Sequence, residues 1–313
     1  MPRPLIVRIF VGPHGLRAGW RFSLFFILVA LALLAVSKGM PRIAGALPGP
    51  AVRVLGNFLA LATILIAIWL LGRIETGRVW NYGFVAPHQG RNLVAGLLIG
   101  FTSLSVLMGL LTAVGAFKPG PPELHGADVL LWGSYWALCF ALAAFVEEII
   151  TRSYALFSLA QGIGFWPAAI MMSVLFGAGH LGNSGEQWIG IVNAAIVGLV
   201  LAYSVKWTGS LWWAVGYHLT WDWGESFFYG VADSGFKAQH CFLSGQPAGA
   251  AWLSGGSVGP EGSVLAAPVL LALIVALRFT APRWENPWLG RLPRTVPPLP
   301  ADAAQNPSGI PLA

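Results

Sequence analysis

The chain has 313 residues, 56% of them hydrophobic and 10% charged, and its mean hydropathy is +0.70. A soluble domain carries about 25% charged residues, so this composition excludes one and points to an all-α, polytopic transmembrane helix bundle. The net charge of +6 and pI of 9.7 call for no nucleic acid, because Lys and Arg that flank membrane spans beside an anionic leaflet give the same balance.

A spanning helix needs roughly 20 apolar residues. About eight such spans are predicted, near residues 19–37, 54–71, 93–117, 129–159, 165–179, 188–205, 211–229 and 264–279. The basic approach to the first span and the small residues at 44–46 also fit a cleaved signal peptide, but seven further spans make a retained helix simpler. With the N-terminus inside, 13 of the 18 Lys and Arg residues fall on the cytoplasmic side and 5 outside, which predicts that both termini are cytoplasmic. Cys139 and Cys241 are too few for a disulfide framework or a metal cluster. Residues 1–281 read as one bundle with a catalytic half at about 128–230. Residues 230–262, rich in Gly and Ser, read as a long external loop, and 282–313 as a disordered cytoplasmic tail. The expected location is the bacterial cytoplasmic membrane.

Between Asp128 and Glu186 the only formally charged residues are Glu147, Glu148 and Arg152. A charge at the bilayer centre costs on the order of 2.5–3.5 kcal/mol, so these three need a partner or a function. Glu148 and Arg152 are four apart and can pair along one helix face. Glu147 is rotated about 100° from Glu148 and should look into the bundle. Because "SYALFSLA" prolongs the apolar pattern beyond Arg152, the charges are expected inside a long helix rather than at its interfacial end.

Further along, His180 closes the fifth span, and His218 and Asp222 lie four apart in the seventh. A lone membrane histidine is often only an interhelical hydrogen-bonding group, whereas an i, i+4 pair projects two titratable groups from one face. At ~1.5 Å per residue, Glu147, His180, His218 and Asp222 come within roughly two helical turns of one another in depth. A carboxylate and an imidazole on one water would form a general base. A second imidazole with Asp222 would hold or polarise a substrate carbonyl. The same set would suit a divalent metal such as zinc with one position left for water.

"EEIITR" fits EExxxR, "FGAGH" fits FxxxH and "HLTWD" fits HxxxN or HxxxD. In this order on late helices, and with "TGS" leading into the third, they resemble the CPBP family, also called ABI. That family includes the type II CAAX prenyl endopeptidases and the bacteriocin-processing or self-immunity proteins. The resemblance covers roughly residues 130–230. It implies an intramembrane endopeptidase acting on membrane-associated peptides or proteins in contact with the lipid bilayer. Glu147 would activate water with His180, His218 and Asp222 would take the oxyanion or metal-ligand role, and Glu148 and Arg152 would support the site. Two departures are Ser153, where the family often has Gly, and Asp222, where Asn is commoner. An ionised Asp cannot donate to an oxyanion, so Asp222 would be protonated, orient His218 or bind metal. HExxH is absent. The family includes members described as glutamic and as metallo-type, and both remain open here.

Two rivals remain. "GNSG", Gly182 to Gly185, matches the GxSG of rhomboid serine proteases and would make Ser184 the nucleophile. Buried Glu, His and Asp also serve transporters, or persist in a non-catalytic immunity or scaffold protein, although the ionisable groups here lie in one half without a repeat.

Overall fold

Runs of Leu, Ala, Val, Ile and Phe without interior charge leave the backbone no hydrogen-bond partner but itself in lipid, and such runs become helices. The structure, a computed structural model, describes residues 9–12, 15–75 and 79–290. The helices are α1 (Ala18–Ala44), α2 (Gly49–Glu75), α3 (Gln89–Ala113), α4 (Ala127–Arg152), α5 (Tyr154–Ile163), α6 (Phe165–Gly179), α7 (Trp188–Thr208), α8 (Trp212–Trp223), the single-turn α9 (Ala251–Ser254) and α10 (Ala266–Thr280). Three two-stranded pairings complete the description: β1 (Val11–Gly12) with β2 (Gly15–Leu16), β3 (Phe117–Lys118) with β6 (Gln246–Pro247), and β4 (Ala232–Asp233) with β5 (Phe236–Lys237), all antiparallel. Large apolar side chains such as Ile66, Leu98, Val106, Ile170 and Phe279 are exposed around the bundle, as a lipid-facing surface requires.

Six helical segments among the described residues are long and apolar enough to cross a membrane, with α4 and α5 together forming one of them. The seventh and eighth expected spans are shorter. α8 has 12 residues and ends in a π-helical turn, Gly224–Phe228, and α10 has 15. At ~1.5 Å per residue, 12 residues cover only about 18 Å. α8 can be short because it is packed inside the bundle rather than against lipid. Its closest neighbour is α3, and the approach depends on glycine: a Cβ on Gly96 would stand 2.2 Å from the Trp213 carbonyl oxygen, and one on Gly100 would stand 2.3 Å from that of Tyr217. This G-x-x-x-G spacing lets the two backbones touch.

The expectation of one continuous helix through the charged motif is corrected. α4 ends at Arg152, and Ser153 leaves the helical path with φ −97° and ψ −120° before α5 begins. The Ser153 hydroxyl donates to the Tyr82 carbonyl at 2.8 Å. α5 is buried on nearly every side, which explains why its sequence stays apolar without prolonging α4.

Helix ends and loops segregate to two ends of the bundle. One end gathers the start of α1, residues 79–83, α5, the α7–α8 turn and residues 281–290, through bonds such as Arg21 Nη2 to Gln161 Oε1 and Leu211 N to the Gly83 carbonyl, both 2.9 Å. Residues 282–290, expected within a disordered tail, are docked there. The Trp284 amide donates to the Trp207 carbonyl at 2.8 Å, and Asn286 Nδ2 donates to the carbonyls of Asn81 and Gly209 at 3.2 and 3.0 Å. Residues 291–313 lie outside the described residues. The opposite end carries residues 114–126, 180–187 and 230–265. The expected loop at 230–262 is a built structure of the β4–β5 hairpin, β6, α9 and a 3-10 turn, Pro260–Gly262. Trp136 Nε1 donates to the Gln239 carbonyl, and Asn193 Nδ2 donates to the carbonyls of Glu261 and Ser263. These bonds tie the segment to α4 and α7. Both cysteines are free and buried.

Candidate active site

The last turns of α4 carry Glu147, Glu148 and Arg152, and the alternation of apolar neighbours aims the second carboxylate inward. Glu148 is 0% and Arg152 1% exposed. Arg152 Nη1 donates to Glu148 Oε1 at 2.6 Å, and its guanidinium lies 4.3 Å from the centre of the Phe176 ring on α6. The space for this cation on the α7 side exists because residue 198 is Gly, whose Cβ would fall 3.3 Å from Arg152 Nη2.

The same Glu148 oxygen also accepts from His218 Nδ1 at 2.8 Å. A carboxylate that accepts there fixes the Nδ1 proton, so the other ring nitrogen works in the cavity. His218 Nε2 lies 3.7 Å from Glu147 Oε2 and 3.5 Å from Asp222 Oδ2. Both separations exceed a direct hydrogen bond, about 3.2 Å, so the three groups flank one space without bonding to each other. The Glu147 side chain is 44% exposed, against 13% for His218 and 12% for Asp222, so it is the most accessible of the three.

His180, in the turn after α6, places Nδ1 2.8 Å from the Phe176 carbonyl. A carbonyl only accepts, so Nδ1 carries the proton and Nε2 keeps its lone pair. Phe176 stands between the two histidines, its ring centre 4.9 Å from that of His180 and 6.3 Å from that of His218.

One cavity of about 270 Å³ is lined by Glu147, His180, His218 and Asp222 together. Arg53, Glu186, Asp233, Ser234 and Glu261 also line it. Glu147 faces His218 directly, whereas His180 shares the cavity wall with it. The acids Glu186, Asp233 and Glu261, with Glu225 in the π-helical turn, were not singled out from sequence. For Glu225 a signal existed, since it is a further carboxylate three residues after Asp222 inside an expected span. For the other three a Gly- and Ser-rich connection gave none.

Metal binding by the four candidates requires donor atoms close enough to share one ion. Among the described residues, the group of three or more ligand side chains whose donor atoms all lie within 4.8 Å of one another is Glu225, Asp233 and Glu261, and the four motif residues do not form such a group. A buried acidic triad of that kind can hold a metal, at a place the motifs do not mark. Ser184 is exposed, and no histidine hydrogen bond to it exists among the described residues, so the arrangement a serine nucleophile needs is not formed there.

Arg53, Glu186, Asp233, Ser234 and Glu261 belong to the end of the bundle opposite residues 281–290, so the polar part of the cavity lies towards that end.

No curated protein and no solved structure matches the chain. A family model described as Type II CAAX prenyl endopeptidase Rce1-like matches residues 130–224, which run from α4 to the end of α8 and contain every motif residue above. The chain is an integral membrane protein whose residues 130–224 are similar to the Rce1-like type II CAAX prenyl endopeptidases, consistent with a CPBP/CAAX protease family.

Proposed function

We propose that this chain is an intramembrane endopeptidase that hydrolyses peptide bonds of membrane-associated peptides or proteins, with Glu147 as general base. The observation that carries the reading is the relay Arg152–Glu148–His218, which aims His218 Nε2 into the space between Glu147 and Asp222. Glu147 accepts a proton from a water held near an imidazole, and the water oxygen adds to the substrate carbonyl carbon. With Nδ1–H engaged by Glu148, a His218 that also carries a proton at Nε2 donates to the resulting oxyanion. Asp222 orients that imidazole, a role open to an ionised Asp. Glu147 then returns the proton to the amide nitrogen as the C–N bond breaks. His180, with its free Nε2, is the second acceptor for the water. No step is routed through a metal, because the four donors do not converge on one position.

The count of basic residues favours cytoplasmic termini, and the polar end of the cavity then faces away from the cytoplasm. Substrates reach the site from that face of the bacterial cytoplasmic membrane.

Purified protein in proteoliposomes, given a library of membrane-anchored peptides and read by mass spectrometry, tests the activity. Cleavage that persists after stripping with a zinc-selective chelator is the expected result. Absence of any cleavage, or its loss with zinc and recovery on zinc return, contradicts the reading.

A further inference from the structure

The peptidase reading leaves one buried acid without a role. Glu225 is 0% exposed, and its carboxylate oxygens have no hydrogen-bond partner except the Glu261 carboxyl, where the two acids share a proton. A buried carboxylate left in this state is costly, and nothing in the relay around Glu148 reaches it. It sits in the π-helical turn that ends α8, and a donor oxygen of Glu225 lies within 4.8 Å of donors from Asp233 on β4 and Glu261 in the 3-10 turn. Glu261 Oε2 is likewise buried with no other partner, while Oε1 accepts from the Ser234 amide.

The surroundings are acidic. Asp222 lies near Asp233, and Glu186 near Glu261, so further negative charge surrounds the three carboxylates. The site also has a cradle. Gly259 has φ +133°, and a Cβ there would fall 2.3 Å from the Ala232 carbonyl oxygen and 2.5 Å from Glu261 Oε2. Only glycine leaves that space to the two oxygens.

We propose that Glu225, Asp233 and Glu261 form a site for a hard divalent cation, with Ca²⁺ the best match, that pins the 230–262 segment onto the end of α8. The donors are all oxygen, which selects Ca²⁺ or Mg²⁺ over softer metals. Oxygens sharing one Ca²⁺ lie at most about 5 Å apart, which fits the spread of the three carboxylates. Bidentate carboxylates, the Ala232 carbonyl and water complete a flexible shell better suited to Ca²⁺ than to octahedral Mg²⁺. The three residues come from one helix end and two places in the segment over the cavity, so the ion joins that segment to the helix carrying His218 and Asp222.

The test is calorimetric titration of the full chain, purified in detergent and stripped with a chelator, with CaCl₂ and separately with MgCl₂, together with thermal unfolding. Expected is one Ca²⁺ per chain, weaker Mg²⁺ binding, and a rise in Tm of about 5 °C at 100 times Kd. Glu225→Gln should weaken Ca²⁺ binding at least tenfold, whereas Glu147→Gln should bind as the parent does. If Glu225→Gln fails to fold, Asp233→Asn, at a half-buried position, is the second variant. Absence of saturable binding up to 10 mM overturns the site, as does unchanged affinity in both variants. Binding lost only in Glu147→Gln would place the ion elsewhere in the cavity and also overturn it. No cleavage is read, so either outcome leaves the peptidase proposal standing on its own test.

Discussion

Glu148 and Glu225 are both fully buried carboxylates that lie behind residues lining one cavity, and their surroundings differ completely. Glu148 accepts from a guanidinium at 2.6 Å and an imidazole at 2.8 Å, drawn from α4 and α8. Glu225 has no cation or amide beside it, and its neighbours Asp233 and Glu261 are acids. In the first place the chain supplies its own counter-charge and turns it into orientation of His218. In the second it has assembled negative charge that only protons or a cation can offset. Burial alone therefore says little about a carboxylate's role, and the sign of what surrounds it says a great deal.

Removing Arg152 should give the largest effect on stability. Arg152→Ala leaves Glu148 buried beside a histidine alone and should cost about 3–5 kcal/mol, read by denaturant or thermal unfolding. A variant as stable as the parent would mean that the pair is not formed. Glu148→Gln keeps the shape but weakens the hold on both partners. A fall in kcat with little change in KM is expected, because His218 is positioned through this group rather than through substrate.

The acid cluster should behave in the opposite way. In Ca²⁺-free protein, Glu225→Gln relieves the crowding of three buried acids and should raise Tm or leave it unchanged, while with Ca²⁺ present it should lower it. A loss of stability in both conditions, as large as that of Arg152→Ala, would erase the contrast between the two sites.

The smallest effect is the pH dependence. Asp233 and Glu261 have raised carboxyl values, so the folded chain holds protons that the unfolded chain has already released. Their stabilising contribution is fully present below about pH 4, the unfolded range, and is lost as pH rises through the raised folded values. Without Ca²⁺, Tm should fall as pH rises above about 4, and Asp233→Asn should flatten that slope. Added Ca²⁺ should flatten it as well.

The difference between the regions also explains what could be read from sequence. The Glu148–Arg152 pair and the His218–Asp222 face follow from a spacing of four on helices, and apolar flanks made those helices evident. Their convergence with His180 on one cavity followed only roughly, from depth along each span. The break at Ser153 had no signature, because α5 is buried and its apolar sequence reads like a continuation. α8 looked like a full span because its interior packing against Gly96 and Gly100 of α3 demands the same apolar residues that lipid does. Residues 282–290 dock through backbone carbonyls and the Asn286 amide, which composition does not report. Asp233 and Glu261 are 28 positions apart in a segment without periodicity, and only the fold brings them to Glu225.

The most direct measurement is the cleavage rate of Glu147→Gln against the parent in the same proteoliposomes, with Tm measured on both. The account predicts a rate lower by about 10²–10⁴-fold with Tm nearly unchanged, as loss of a general base gives. Cleavage at the parental rate, in a variant equally well folded, would contradict it.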